Sequence, residues 1–152
     1  MKTIIILTIT GMLLATGCVK ENLCICGEGP IEQVTLNLDE FNSINLQGSW
    51  DVEIIYGETQ RVMAEGQANI IEELETHIVG GMWNINLGTG CFQDFDLKLF
   101  IQLPLLKKAV LTGSGNILIQ DVSGRCCYIY YFNLFRNAWV HLFKFPNGPL
   151  CK

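Results

Sequence analysis

The chain has 152 residues, 49% of them apolar, and a formal charge of −5, a length that suits one domain rather than two. From Val19 to Val122 fifteen acids face five bases, whereas Ser123 to Lys152 carries four bases and no acid. An acidic body excludes nucleic acid as a partner, because that affinity rests on Lys and Arg neutralising phosphates, and it opposes adsorption to an anionic bilayer.

The first residues read as a targeting segment. Met1-Lys2-Thr3 is a short positive start, and Ile4 to Leu14 is an apolar run interrupted by Thr8, Thr10 and Gly11. The small residues Ala15-Thr16-Gly17 then precede Cys18. This order is that of a secretory signal peptide, and the run is shorter than the roughly 20 residues a spanning helix needs. Ala15-Thr16-Gly17-Cys18 resembles a bacterial lipobox, with Ala15 standing where Leu is commoner. The resemblance implies cleavage before Cys18 and acylation through its sulfur. Residues 1–17 are then a lipoprotein signal peptide and residues 18–30 a lipidated tether, with the membrane as partner. Val19 in place of an Asp favours the outer membrane. An acyl chain contributes roughly 0.8 kcal/mol per buried CH₂, so two or three chains anchor stably. The other reading is an ordinary secretory signal with Cys18 incidental.

After the tether, hydropathy alternates with period two. Val34, Leu36 and Leu38 alternate with polar residues, and Trp50, Val52, Ile54 and Tyr56 alternate with Asp51, Glu53 and Ile55. Trp83, Ile85 and Leu87 alternate with Asn84 and Asn86, and Phe95, Leu97, Leu99, Ile101 and Leu103 with Asp96, Lys98, Phe100 and Gln102. Alternation of this kind predicts half-buried strands. Turn residues punctuate them at Gly57-Glu58, Gly80-Gly81, Gly88-Thr89-Gly90, Pro104 and Gly113-Ser114-Gly115. Only Asn69 to Thr76 has helical spacing, and that stretch fits an irregular strand equally well. Residues 31–122 are therefore expected to be an all-β domain.

An internal repeat refines the expectation. Leu46-Gln47-Gly48-Ser49-Trp50-Asp51-Val52-Glu53-Ile54 aligns with Leu111-Thr112-Gly113-Ser114-Gly115-Asn116-Ile117-Leu118-Ile119. Each copy reads as strand, tight corner, strand, with Gly supplying unusual φ values and Ser and Asp/Asn bonding turn backbone. Repeated corners stack the coils of a β-solenoid, although a hairpin pair in a sandwich would show the same pattern.

Cys26-Gly27-x-Gly29, Phe41-x-x-Ile44-x-x-x-Gly48-x-x-Asp51-Val52 and Gly57 follow one another in order. Val79-Gly80-Gly81-x-Trp83-x-Ile85, Pro104-Leu105-Leu106 and Gly113-Ser114-Gly115-Asn116-Ile117 continue the series. Together, over roughly residues 24 to 122, they resemble the head-GIN-domain family of auto-transporter adhesins. That resemblance implies a right-handed β-helix, β-solenoid-like and here incomplete, in a bacterial envelope lipoprotein. It brings no catalytic or binding residues with it.

The pattern breaks after Val122. Residues 123–152 form an atypical aromatic and basic tail with Cys126, Cys127 and Cys151 and no further Gly-Ser-Gly corner. It reads either as a frame-shifted end that truncates a longer solenoid or as an aromatic strand pair covering the last coil. Aside from Cys18, six cysteines remain, and an exported protein permits disulfides. The expected bridge joins Cys91 to Cys24 or Cys26. The C-x-C spacing is not that of a metal site, and neither a metal nor a cofactor is expected.

Gly113-Ser114-Gly115 is not a nucleophile elbow, and His77 reads as an exposed strand residue, so no catalytic residues are assigned. The sequence predicts an adhesin or surface-binding module of the cell envelope that works without catalysis and takes a glycan or another surface ligand. Trp50 and Trp83 are the candidate stacking platforms, with core burial as the competing role. The alternatives are a carbohydrate-active enzyme using Asp94 and Asp96, which would share a strand face, and a truncated product with no ligand.

Overall fold

The computed structural model describes residues 24–120, 128–131 and 140–142. The signal segment, Cys18 and the tail cysteines Cys126, Cys127 and Cys151 lie outside the described residues. Among the described residues, thirteen strands and one short helix run in chain order. They begin with β1 (Ile25–Cys26), β2 (Ile31–Leu36), β3 (Ser43–Leu46), β4 (Asp51–Tyr56) and β5 (Arg61–Gln67). Then come α1 (Ala68–Ile71), β6 (Ile78–Val79), β7 (Met82–Ile85), β8 (Phe92–Gln93) and β9 (Leu97–Leu103). The series ends with β10 (Lys108–Leu111), β11 (Asn116–Gln120), β12 (Tyr128–Tyr131) and β13 (Val140–Leu142).

The alternating runs become strands with one buried face, since side chains of an extended chain point to opposite sides in turn. Leu97, Leu99, Ile101 and Leu103 of β9 are buried, and the residues between them are half-buried. Val52 and Ile54 of β4, Ile117 and Ile119 of β11, and Val62 and Ala64 of β5 bury the same face of a six-stranded sheet ordered β13-β11-β4-β9-β5-β2. Opposite it lies a five-stranded sheet ordered β12-β10-β3-β7-β6, which contributes Ile44, Leu46, Trp83, Ile85, Ala109 and Leu111. The two inner faces join in one apolar cluster. A third, two-stranded sheet pairs β1 with β8.

The repeat is stacked in register. Leu46 pairs with Leu111 and Val52 with Ile117 in parallel ladders, so its two copies lie side by side on both large sheets. The corner glycines are there for closeness rather than for unusual φ: positive φ among glycines occurs at Gly29, Gly80 and Gly81. A Cβ on Gly113 would collide with the carbonyl of Gly48, and one on Gly115 with the carbonyl of Trp50. That proximity lets Gly115 N–H donate to the Gly48 carbonyl at 3.0 Å and Asn116 N–H to the Trp50 carbonyl at 3.3 Å.

The expected β-helix, right-handed and solenoid-like, is not what the chain builds. Its strands form three separate sheets, none closed into a coil. The parallel ladders of the six-stranded sheet stop at β9, where β5 packs antiparallel, and β2 is antiparallel to β5 in turn. In the five-stranded sheet β6 returns antiparallel on β7. A solenoid needs each rung to feed a parallel neighbour, and these reversals prevent that. The fold is an all-β, sandwich-like domain. The stretch from Asn69 to Thr76 divides between α1, which buries Ile70 and Ile71, and an isolated bridge from Leu74 to Leu87.

Candidate surface-binding site

Two segments meet at one end of the sandwich. The first is the corner leading into β4, with Ser49, Trp50 and Asp51. The second runs from β8 into β9 and includes Phe92, Asp94, Phe95 and Asp96. Between them is a cleft of about 460 Å³.

The second segment is not part of a long strand. The alternation beginning at Phe95 predicts a strand from there, yet β9 starts at Leu97. Asp94 adopts φ +52°, a left-handed conformation that Asp tolerates better than most residues. Asp94 and Asp96 therefore lie in a loop that lines the cleft rather than on a strand face.

Buried polar groups and a covalent link hold this loop. Gln67, 9% exposed, accepts from the Asp96 N–H at 2.9 Å. The Asp94 carbonyl accepts from Gly27 N–H at 3.3 Å, and the Cys91 carbonyl from Ile25 N–H at 2.8 Å. A disulfide joins Cys24 to Cys91, with Cα atoms 4.4 Å apart, while Cys26 is a free thiol. Asn69 on α1 completes the attachment: its amide donates to the Cys26 carbonyl at 2.8 Å and accepts from Glu28 N–H at 2.9 Å. Neither Gln67 nor Asn69 stood out in the sequence, where a single amide carries no pattern.

The walls combine rings with carboxylates. The Phe95 ring is tilted against Trp50 at 6.3 Å and meets Phe92 edge-on at 6.4 Å. Asp51, Asp94 and Asp96 are exposed, and Asp51 accepts from the Asn116 amide at 2.8 Å. None of the lining residues is basic. Among the described residues no group of three or more His, Cys, Asp and Glu is placed to hold a metal ion.

The two tryptophans have different fates. Trp83 is fully buried, its indole N–H donating to the Glu75 carbonyl at 2.7 Å, so it has no face to offer a ligand. Its expected role as a stacking platform is corrected to that of a core residue, packed on Phe41 at 5.5 Å. Trp50 is 8% exposed and lines the cleft, and its Nε1 is buried without a hydrogen-bond partner. His77 is exposed just ahead of β6. No helix among the described residues is long and apolar enough to cross a membrane.

Comparison with known proteins adds a family and a fold. The family described as "putative auto-transporter adhesin, head GIN domain" matches residues 40–129. No curated protein matches. A "putative adhesin" from Parabacteroides merdae superposes with a TM-score of 0.64 at 17% identity, over 70% of this chain and 46% of that one. Another "putative adhesin", from Parabacteroides distasonis, gives 0.69 at 15% identity, over 79% and 50%. A "putative lipid binding protein" from the same organism gives 0.56 at 21%, over 63% and 43%. The chain thus spans about half the length of these solved structures, and at such identities the likeness is one of fold.

Proposed function

The chain belongs to the head-GIN-domain family, and on that premise we propose that it is a binding module of the bacterial cell envelope, lipid-anchored at Cys18 and acting without catalysis. The observation that carries the reading is the cleft itself. Exposed carboxylates and half-buried rings face solvent there, on a loop fixed by a disulfide and by a buried amide. A rigid mount of this kind suits recognition, because little ordering is left to be done on binding. The anchor rests on the lipobox-like Ala15-Thr16-Gly17-Cys18, and the outer membrane is the favoured location.

Two experiments test the proposal. Cells expressing the chain should incorporate radiolabelled palmitate, and Cys18→Ala should abolish the label and leave an uncleaved precursor. Persistent labelling of that variant would remove the anchor from the reading. Incubation of the full chain with polysaccharides should yield no new reducing ends and no unsaturated products. Their appearance would replace the binding module with the carbohydrate-active enzyme, in which Asp94 and Asp96 are the first carboxylates to substitute.

A further inference from the structure

We infer that the open edge of β2 pairs with the open edge of β13 of a second copy of this chain, so that the six-stranded sheets of successive copies join head to tail. The inference goes beyond the binding-module reading and does not depend on the cleft.

The strand order gives that sheet two ends. Among the described residues β2 is paired only with β5, and β13 only with β11. A strand paired on one side presents a row of N–H and C=O groups that a further strand can satisfy, and proteins commonly blunt such edges with Lys, Pro or a bulge. β2, with the sequence Ile-Glu-Gln-Val-Thr-Leu, contains neither Lys nor Pro, and its six-residue register with β5 runs without a bulge. Val34 and Leu36 pack against the core but are only half-buried. A further strand would complete their cover.

Charge selects the occupant. Glu32 lies on the same side of β2 as Val34 and Leu36, by the two-residue period of a strand, yet it is exposed. A charge on the inward side of an edge turns away a purely apolar strand, because the carboxylate would be covered without a partner. A strand that brings a base is accepted. Residues 24–40 hold Glu28, Glu32, Asp39 and Glu40 and no base. Two β2 edges set against each other would oppose like charges, which disfavours a symmetric dimer. Residues 123–152 hold Arg125, Arg136, Lys144 and Lys152 and no acid, and β13 falls between Arg136 and Lys144 in sequence. The base-rich edge that β2 calls for is thus the other end of the same sheet. A contact between two different edges leaves β2 open on one copy and β13 open on the other, so further copies add in turn.

The test sediments the full chain in detergent over a range of concentrations at low salt. Species larger than a dimer should grow with concentration and return to monomer in about 0.5 M NaCl, which screens the charges at the contact. Glu32→Lys, at an exposed position, should fold normally and assemble only at roughly tenfold higher concentration. In a mixture of ¹⁴N and ¹⁵N copies, a carbodiimide, which joins carboxylates to amines in contact, should link residues 24–40 of one copy to Lys144 or Lys152 of another. These links and the salt response need no variant, so they decide the matter even if Glu32→Lys misfolds. A chain that stays monomeric at every concentration overturns the inference, and so does assembly that survives the salt or is linked only through other residues. Protection of β2 amides in such a monomer by an alternating valine–lysine peptide would give the edge to a foreign basic strand instead.

Discussion

Gly113 and Gly115 show what a single hydrogen in place of a methyl can decide. Their Cα atoms stand against the backbone carbonyls of Gly48 and Trp50, which cannot move aside as the tip of a flexible side chain would. Overpacking of this kind costs typically 1–3 kcal/mol. Gly115→Ala should therefore lower the free energy of unfolding by about 2–3 kcal/mol in urea titration. Gly90→Ala, where a Cβ would meet only ordinary contacts with the Phe92 ring at 3.6 Å, should change it by less than about 0.5 kcal/mol. Equal losses at the two positions would show that the corner is not close-packed. The repeat announced these glycines but suggested the wrong reason for them, because one motif serves both a left-handed φ and a close approach. Trp50 and Trp83 teach a similar point. Both alternate with polar neighbours and both are buried in the core, and of the two only Trp50 also lines the cleft.

Among the elements, the long alternating strands were the most legible. β4 and β9 fall within the runs that alternation marks and β7 begins one residue before its run, and their inward residues are the expected ones except Tyr56, which is exposed at the end of β4. β5 was missed because its buried positions after Val62 are Ala64 and Gly66, too small to read as an apolar stripe, and the polar Gln67. Gly66 is small for cause, since a Cβ there would approach the Asp96 carbonyl oxygen at 2.5 Å. The pair β1 and β8 has only two residues in each strand and no period to detect. It depends on the link between Cys24 and Cys91, which closes a loop across a separation of 67 residues. A loop of that size is worth about 4 kcal/mol in the chain-entropy account. Cys91→Ser should lower the urea midpoint by a corresponding amount. It should also strip hydrogen-exchange protection from Ile25 and Cys26 while β4 and β9 keep theirs. Unchanged protection at β1 would mean that hydrogen bonds alone hold that pair.

For the molecule as a whole, the sequence carried the class and lost the architecture. Two copies of a corner specify that their own strands lie side by side, and Leu46 against Leu111 shows that they do. They say nothing about the strands beyond. Val34 and Leu36 of β2 alternate as a parallel rung would, but β2 pairs antiparallel with β5, and period two is blind to strand direction. The cleft was legible only in part. Asp94 and Asp96 drew notice as a pair, whereas their meeting with Trp50, more than forty residues earlier in the chain, depends on the tertiary fold.

The disulfide also bears on force. A pull arriving from the N-terminal side reaches Cys24 first, and without the bridge it would next load the two-residue β1 and then β2, an outer strand of its sheet that can be peeled away one hydrogen bond at a time. Through the bridge, part of that tension passes covalently to Cys91 and on toward β9, which is flanked on both sides by β4 and β5. To extract β9 lengthwise, two ladders must shear together, so a domain pulled from that side would yield by slipping many bonds at once rather than by unzipping.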